Sequence, residues 1–312
     1  MPAIKLAVIG YGFMSRQTYC PLLHAFSGRV VLTALVEPDE QRRREALQTY
    51  AFDAGLSSVE ELLAVGRPDA ALVLVPAAFH ADVIRPLLDA GVDVYTEKPD
   101  TWKLSEAREL VALASAKGRV YQVGQNRLFM TAIQKARSFF ADTPVDFIAV
   151  EKSKKVLTTD AEYLLDDGIH VLSPLMHLAG DITEVLGAVH VENRLLSAHF
   201  RLASGGAGVL TQHVDAGYWV ERFQMHGPQK SANIVTPDRV ELHREQEQVG
   251  GSSVGRLPML FDPASLLGFR EAVGHFLDCV ESRAQPIGSA ASLLRVHEVM
   301  NEVFAMAGIG KL

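Results

Sequence analysis

Three groups of residues in this 312-residue chain have types and spacings that can do chemistry. Gly10-Tyr11-Gly12-Phe13-Met14-Ser15 puts two glycines where an apolar strand gives way to a helical pattern. Gly10 permits the tight turn. Gly12 lets the backbone approach a pyrophosphate, which would rest on the N–H groups and positive dipole end of the helix. Ser15 stands where a third Gly or Ala is usual, and it is small enough to keep helix and strand packed. Glu37, at the end of the second predicted strand, is placed to bond adenosine ribose hydroxyls and to repel a 2′-phosphate, which favours NAD over NADP. Arg42, Arg43 and Arg44 follow it; one of them could reach such a phosphate, but they read more simply as solvated helix residues.

The second group is Glu97-Lys98-Pro99, at the end of another apolar strand. Ligands of open α/β sheets bind beyond the carboxyl ends of the strands, so a lysine there can polarise a reacting oxygen and move a proton. Alternatively, Lys98 is a surface lysine in a turn. The third group is Asp166 and His170, one helical turn apart and therefore on one face. An imidazole suits a reaction in which hydride and proton leave together. The competing reading makes His170 a half-buried helix residue and Asp166 a partner of the helix dipole. His177 lies two turns beyond His170, but no spacing here matches a zinc signature, and a metal is not expected.

The elements that must position these groups alternate over residues 1–123. Strands are predicted at 5–9, 29–36, 70–75, 92–96 and 120–123. Helices are predicted at 13–26, 39–50, 80–90 and 104–117, with a further short helix opened by a Ser57/Glu60 capping box. Gly91 and Gly118 are placed to end helices in the left-handed conformation. Alternation with apolar strands implies a doubly wound parallel sheet covered on both faces. After Gln125 the rhythm changes. Helices are expected at 132–140 and 164–178, with a strand at 147–151 between them. Residues 191–245 read as successive antiparallel strands turning at Ser204-Gly205-Gly206, Gly227-Pro228 and Pro237-Asp238. A polar loop is expected at 246–255, then helices at 267–282 and 290–307. The fold class is therefore α/β, a Rossmann domain (1–123) followed by an α+β domain (124–312) with a large, mainly antiparallel sheet.

Composition narrows the function. The formal charge of −7 makes no electrostatic case for nucleic acid. No run approaches the roughly 18 apolar residues of a membrane helix. The first apolar run stops at Gly10 with no cleavage site after it, so a cytoplasmic location is expected. Cys20 and Cys279, the two cysteines, are expected as buried or partly buried thiols.

Several segments together resemble the glucose-fructose oxidoreductase / inositol dehydrogenase / MocA family. They are the Gly10 turn, Pro76 with His80, "AGVDVYTEKP" (90–99), "VGQNRLF" (123–129), "DDGIH" (166–170) and the ending from Gly268 to Ala307. "LLDDGIH" and "GHFLDCV" are similar to its short, MviM-like branch. The resemblance implies an NAD(P)-dependent dehydrogenase, with NAD as the expected cofactor and NADP possible. It would act on a hydroxyl or keto carbon of a sugar-like or polyol-like small molecule. Lys98, His170 and Asp166 would be catalytic. Gly10, Gly12, Phe13, Met14, Glu37, Pro76, His80, Glu97 and Lys98 would line the cofactor. Arg127, Lys152 and Tyr163 are candidate substrate residues, with Asn126 and Glu151 beside them, although Arg127 and Lys152 could equally be salt-bridge partners. The antiparallel sheet would pair subunits into a homodimer or higher oligomer. Two positions depart from the pattern: Ala77 for an Asn, and Ser173 for an Asp that often holds a sugar hydroxyl. The rival readings are a non-catalytic sensor of dinucleotide and metabolite on the same fold, and a methyl transferase.

Overall fold

The computed structural model describes residues 2–156, 160–191, 194–252 and 263–310. Its strands in chain order are β1 (Ile4–Ile9), β2 (Val30–Val36), β3 (Gly55–Leu56), β4 (Ala70–Val73), β5 (Asp93–Thr96), β6 (Tyr121–Val123) and β7 (Phe147–Lys155). Then come β8 (Ile182–Val191), β9 (Leu195–Leu202), β10 (Ala207–His213), β11 (Asp215–Gly227), β12 (Lys230–Val235), β13 (Arg239–Arg244) and β14 (Glu247–Ser252). The helices are α1 (Cys20–Leu23), α2 (Glu40–Thr49), α3 (Val59–Val65), α4 (His80–Asp89), α5 (Leu104–Ala116), α6 (Thr131–Phe139) and α7 (Ala161–Ala179). The last three are α8 (Pro263–Leu266), α9 (Phe269–Ser282) and α10 (Ala290–Ala307).

The chain divides into two compact units. One comprises Met1–Gly124 with Phe269–Leu294, the other Gln125–Gly268 with Arg295–Leu312. A single cut after residue 123 misses the return of 269–294 to the first unit.

The first unit is built on six parallel strands in the order β3-β2-β1-β4-β5-β6, the doubly wound arrangement the alternation predicts. Every residue of β4 and β5 is buried, as a sheet covered on both faces requires. Sequence reading missed β3, which is only two residues long and carries no periodicity. The capping box lies one residue later than expected: Ser58, not Ser57, caps α3 by accepting from the Glu61 N–H at 3.3 Å. Glu61, not Glu60, reaches back to the Ser57 N–H at 2.8 Å. Gly91 and Gly118 have φ of +78° and +60°, the left-handed ends expected of them. The return segment belongs to this unit through named contacts. Phe276 stacks edge-on against Tyr95, Arg283 pairs with Asp93, and Ser289 bridges Gln122.

The second unit carries eight strands in the order β14-β13-β12-β11-β7-β10-β9-β8. Burial alternates along β10 and β12, the signature of a sheet with one packed face. Neighbours are antiparallel except β7 and β10, which run parallel because the chain passes from β10 to β11 on the far side of β7. The loop expected from 246 is instead β14, an edge strand whose Gly250 and Gly251 hid it; residues 253–255 lie outside the described residues. Asp160 caps α7 through the Tyr163 N–H at 2.8 Å, and Gly180 ends it at φ +90°.

Two histidines of this unit set an acid limit. Burial pulls His177 down to about 4, helped by Arg137, and burial pulls His297 to about 4. Both fold neutral, so the stability they permit is complete above about 6.5 and is lost as pH falls towards 4, at most ~3 kcal/mol each. Denaturant midpoints should therefore fall between pH 6.5 and 4, and His177→Leu should flatten that slope. A pH dependence unchanged by the substitution would refute this. Asp100 in the first unit acts in the opposite sense: burial pushes its carboxyl up to about 7, against the Thr101 N–H, so its contribution fades as pH rises towards 7.

Candidate active site

Register places the first group of residues. Val36, Ile9, Val73, Thr96 and Val123 pair in sequence across β2, β1, β4, β5 and β6. The next residue on each strand therefore forms a row along the carboxyl edge of the sheet: Glu37, Gly10, Leu74, Glu97 and Gly124. Glu37 and Glu97 are three strand spacings apart, about 14 Å.

Gly10 turns with φ +94°, and a Cβ there would sit 2.9 Å from the Leu74 carbonyl oxygen, so both the conformation and the space demand glycine. Gly12 has nothing within 4 Å of where its Cβ would be. This open face is what a pyrophosphate needs, and the residues present fit that group. Phe13 is exposed and Met14 half-buried beside it, and Pro76 is exposed at the end of β4. Phe79, which sequence reading passed over, is a second exposed ring at the same edge, on the turn Ala77–Phe79.

Glu37 is buried, and its carboxylate accepts from the Tyr11 N–H at 2.8 Å and the Asp39 N–H at 3.0 Å. It thereby ties the glycine turn to the end of β2, a role the residue type alone did not reveal. A carboxylate has about four acceptor sites, so capacity remains for hydroxyl donors. The three arginines are engaged locally. Arg42 lies 3.9 Å from Asp39, Arg43 donates to the Glu37 and Pro38 carbonyls, and Arg44 pairs with Glu40 at 2.6 Å.

Lys98 is half-buried beyond β5, followed by a cis bond to Pro99. Its own N–H donates to Glu97 Oε2 at 3.0 Å. His80 is 1% exposed, with Nδ1 2.7 Å from the Pro99 carbonyl and Nε2 2.8 Å from that of Val75. Burial lowers its pKa, opposed by these carbonyls. Read from sequence as a cofactor residue, His80 is here a strut between the β4 end and the Lys98 loop.

In the second unit, α7 carries Asp166 and His170, both half-buried and one turn apart. Pro174, four residues after His170, cannot donate to its carbonyl. Arg127 and Lys152 were open between substrate and salt bridge, and the structure commits them to carboxylates. Arg127 reaches both oxygens of Glu221, at 3.0 and 3.3 Å. Lys152 lies 2.9 Å from Glu221 and 3.0 Å from Asp167, all three being buried. Lys154 adds a second cation to Asp167 at 2.5 Å and stands 5.1 Å over the Tyr163 ring, whose buried hydroxyl has no hydrogen-bond partner among the described residues. Asn126 bonds the Leu267 carbonyl at 2.7 Å, and Glu151 accepts from Ser153 at 2.7 Å. Ser173, at the position of the missing Asp, is buried and donates to Gln125. Glu221 and Asp167 were missed because a lone acid on a strand, or the second of two adjacent aspartates, gives no spacing signal. His177 faces Gln134 at 3.4 Å, and among the described residues no three His, Cys, Asp or Glu gather.

A cavity of about 280 Å³ lies at the opposite, amino edge of the first unit's sheet, lined by Arg67, Arg119 and Arg283 among others. These guanidiniums are spent on the Ala90, Gly91 and Gly118 carbonyls and on Asp93, which makes them caps of helix ends rather than ligand groups.

Residues 4–125 match the oxidoreductase family with an NAD-binding Rossmann fold. YceM of Salmonella typhimurium, which carries an oxidoreductase name, is 25% identical over 300 residues covering 92% of each chain. The D-apiose dehydrogenase of Paraburkholderia graminis is 23% identical over 98% of this chain and 88% of its own. The fold matches a solved dehydrogenase (MviM) from Clostridium difficile with a TM-score of 0.84, at 21% identity over 97% of this chain and 99% of that one. The match to that oxidoreductase family lies in residues 4–125, which hold the glycine turn and the Glu-Lys-Pro loop, and beyond them the chain is similar to these oxidoreductases along most of its length.

Proposed function

We propose that the protein interconverts a hydroxyl and a keto carbon of a sugar-like or polyol-like substrate, with NAD as redox partner. The observation that carries this reading is the row along the carboxyl edge, where the glycine turn, Glu37 and the Lys98 loop stand at one level. Bound NAD supplies the hydride acceptor. The Gly12 face and helix N-terminus would hold the pyrophosphate, and Glu37 the adenosine ribose. Lys98 polarises the substrate oxygen. His170 would take the hydroxyl proton, with Asp166 binding substrate or orienting the imidazole. The local engagement of Arg42, Arg43 and Arg44 supports NAD over NADP. Because Arg127 and Lys152 are held by carboxylates, they act on substrate only through the shape of the network, and Tyr163 is the polar candidate left beside it.

Fluorescence titration with NADH and NADPH tests the cofactor half, read through Trp102 or Trp219 quenching and nicotinamide emission. NADH should bind at least about tenfold more tightly, since a buried carboxylate facing a phosphate costs more than about 1.4 kcal/mol. Preference for NADPH would overturn the reading of Glu37. Binding of neither by folded protein would count against both the dehydrogenase and the dinucleotide sensor and would favour a methyl-transfer role.

The homo-oligomer is likewise a proposal. Leu186, Val189, Tyr218, Trp219 and Val249 are exposed apolar side chains on strands of the larger sheet, as a surface that pairs with a second copy would be. Light scattering at micromolar concentration should give at least twice the 34.0 kDa chain mass. A monomer would refute it. No helix among the described residues is long and apolar enough to cross a membrane.

A further inference from the structure

The helix after the glycine turn is irregular. Residues Ser15–Tyr19 form a π-turn, with the Cys20 N–H donating to the Ser15 carbonyl five residues back. Pro21 comes next and has no N–H to continue the ordinary ladder to Gln17, so a change of register here forfeits little. Such one-residue insertions rotate the remainder of a helix about its axis and are frequent at functional sites. Here the residue delivered inward is Tyr19. Its ring is fully buried, edge-on to Tyr95 at 5.7 Å and to Phe269 at 5.8 Å. Its hydroxyl donates to Glu97 Oε1 and lies 3.1 Å from the Tyr95 hydroxyl. The other oxygen of Glu97 accepts from the Lys98 N–H. Gly124 closes over the cluster: a Cβ there would stand 3.0 Å from the Tyr95 hydroxyl and 3.3 Å from Glu97 Oε1.

We propose that Tyr19 is a positioning residue for Lys98, acting through Glu97, so that the helix carrying the glycine turn and the loop carrying the lysine are held as one piece. Glu97 is half-buried, and a carboxylate in that setting needs fixed donors to keep one orientation. Two of them are the Tyr19 hydroxyl and the Lys98 backbone. Removing the hydroxyl lets the carboxylate turn, and the segment it holds turns with it. A binding element and a reactive group two strands apart are thereby joined by side-chain hydrogen bonds as well as by the sheet. Only the chemistry assigned to Lys98 rests on the dehydrogenase reading; the linkage does not.

The test uses the full-length chain and competitive acetylation, with each lysine read by mass spectrometry. Tyr19→Phe keeps the ring packing and removes one oxygen. The rate at Lys98, normalised to Lys103 and Lys117, should change by about threefold or more, as loss of a charge-assisted hydrogen bond allows. NADH affinity should stay within about twofold, because the glycine turn itself is untouched. Glu97→Gln should shift Lys98 in the same direction, and it decides alone if Tyr19→Phe does not fold. A merely structural Tyr19 would lower the melting temperature and leave the Lys98 ratio at its wild-type value. That ratio, in either folded variant, overturns the proposal. Failure of the wild-type chain to bind NADH would count against the dehydrogenase reading and leave the labelling result to judge Tyr19.

Discussion

A Lys98→Met chain will bind NADH but turn over its substrate about 10²–10⁴ times more slowly than the wild type, the range that loss of a positioned proton-transfer group produces. Methionine keeps the unbranched stem and the packing along it while deleting the ammonium. The loss should therefore fall on kcat, with a smaller change in KM, because the missing interaction is made with an oxygen whose charge changes during reaction. Lys98→Arg should not recover the rate. A guanidinium retains charge but does not release a proton near neutral pH, and its planar fork does not occupy the position of a compact ammonium. Steady-state rates on any sugar or polyol the wild type oxidises, with NADH binding measured on the same preparations, decide the matter. Lys98→Met activity within threefold of wild type would remove Lys98 from the chemistry and leave the fold with a different proton carrier.

The largest effect on stability should come from Glu221→Leu. Glu221 is fully buried, takes both arms of Arg127, and shares Lys152 with Asp167. Removing one partner of a buried ion pair strands the others, at a cost of about 3–5 kcal/mol. A loss of that size should lower the melting temperature by roughly 10 °C in a chain of this length. Adding Lys152→Met to Glu221→Leu should return part of the loss, since one buried charge then leaves with its partner. Burial raises the Glu221 pKa, but Arg127 and Lys152 overcome it and hold the carboxyl down at about 2. Burial meanwhile pulls Lys152 below the ordinary lysine range despite Glu221 and Asp167. The Glu221 carboxyl is ionised at neutral pH. Because the folded carboxyl titrates below its unfolded value near 4.5, its stabilisation is complete above that pH and is lost as pH falls towards 2. Acid unfolding followed by circular dichroism should therefore lose its steep limb below about pH 4.5 in Glu221→Gln. An unchanged melting temperature in Glu221→Leu would show the network to be dispensable.

The Rossmann unit was legible because its signals are local. Apolar strands of four to seven residues, glycines at helix ends and a glycine turn after the first strand each constrain the backbone within a few positions. What escaped was short, non-local or without alternation, the last being β8, ten largely unburied residues ahead of the strands expected from 191. β3 has two residues, and β14 is masked by Gly250 and Gly251. The return of 269–294 depends on contacts with residues about 150 positions earlier, such as Ala272 with Gln122. The site divides the same way. Gly10, Glu37 and Lys98 announce themselves by position in a motif. Tyr19 and Glu221 act through partners 78 and 94 residues away, and nothing in their own neighbourhoods marks them. Arg127 and Lys152 show the limit of residue type: a cation near a motif looks the same whether it awaits a substrate or is already neutralised.

The position of β7 has a consequence for how the chain is made. It is the first strand of its sheet to leave the ribosome, yet both its neighbours, β10 and β11, begin 60 or more residues later. The first unit waits longer still, because Phe269, Phe276 and Arg283 arrive after the whole larger sheet. During synthesis the rings of Tyr19 and Tyr95 and the charge of Asp93 are therefore without these partners while the larger sheet assembles. The first unit's chain is complete only at Leu294 and the second's only at Leu312, and the interval of exposure is set by translation rather than by the intrinsic speed of either fold.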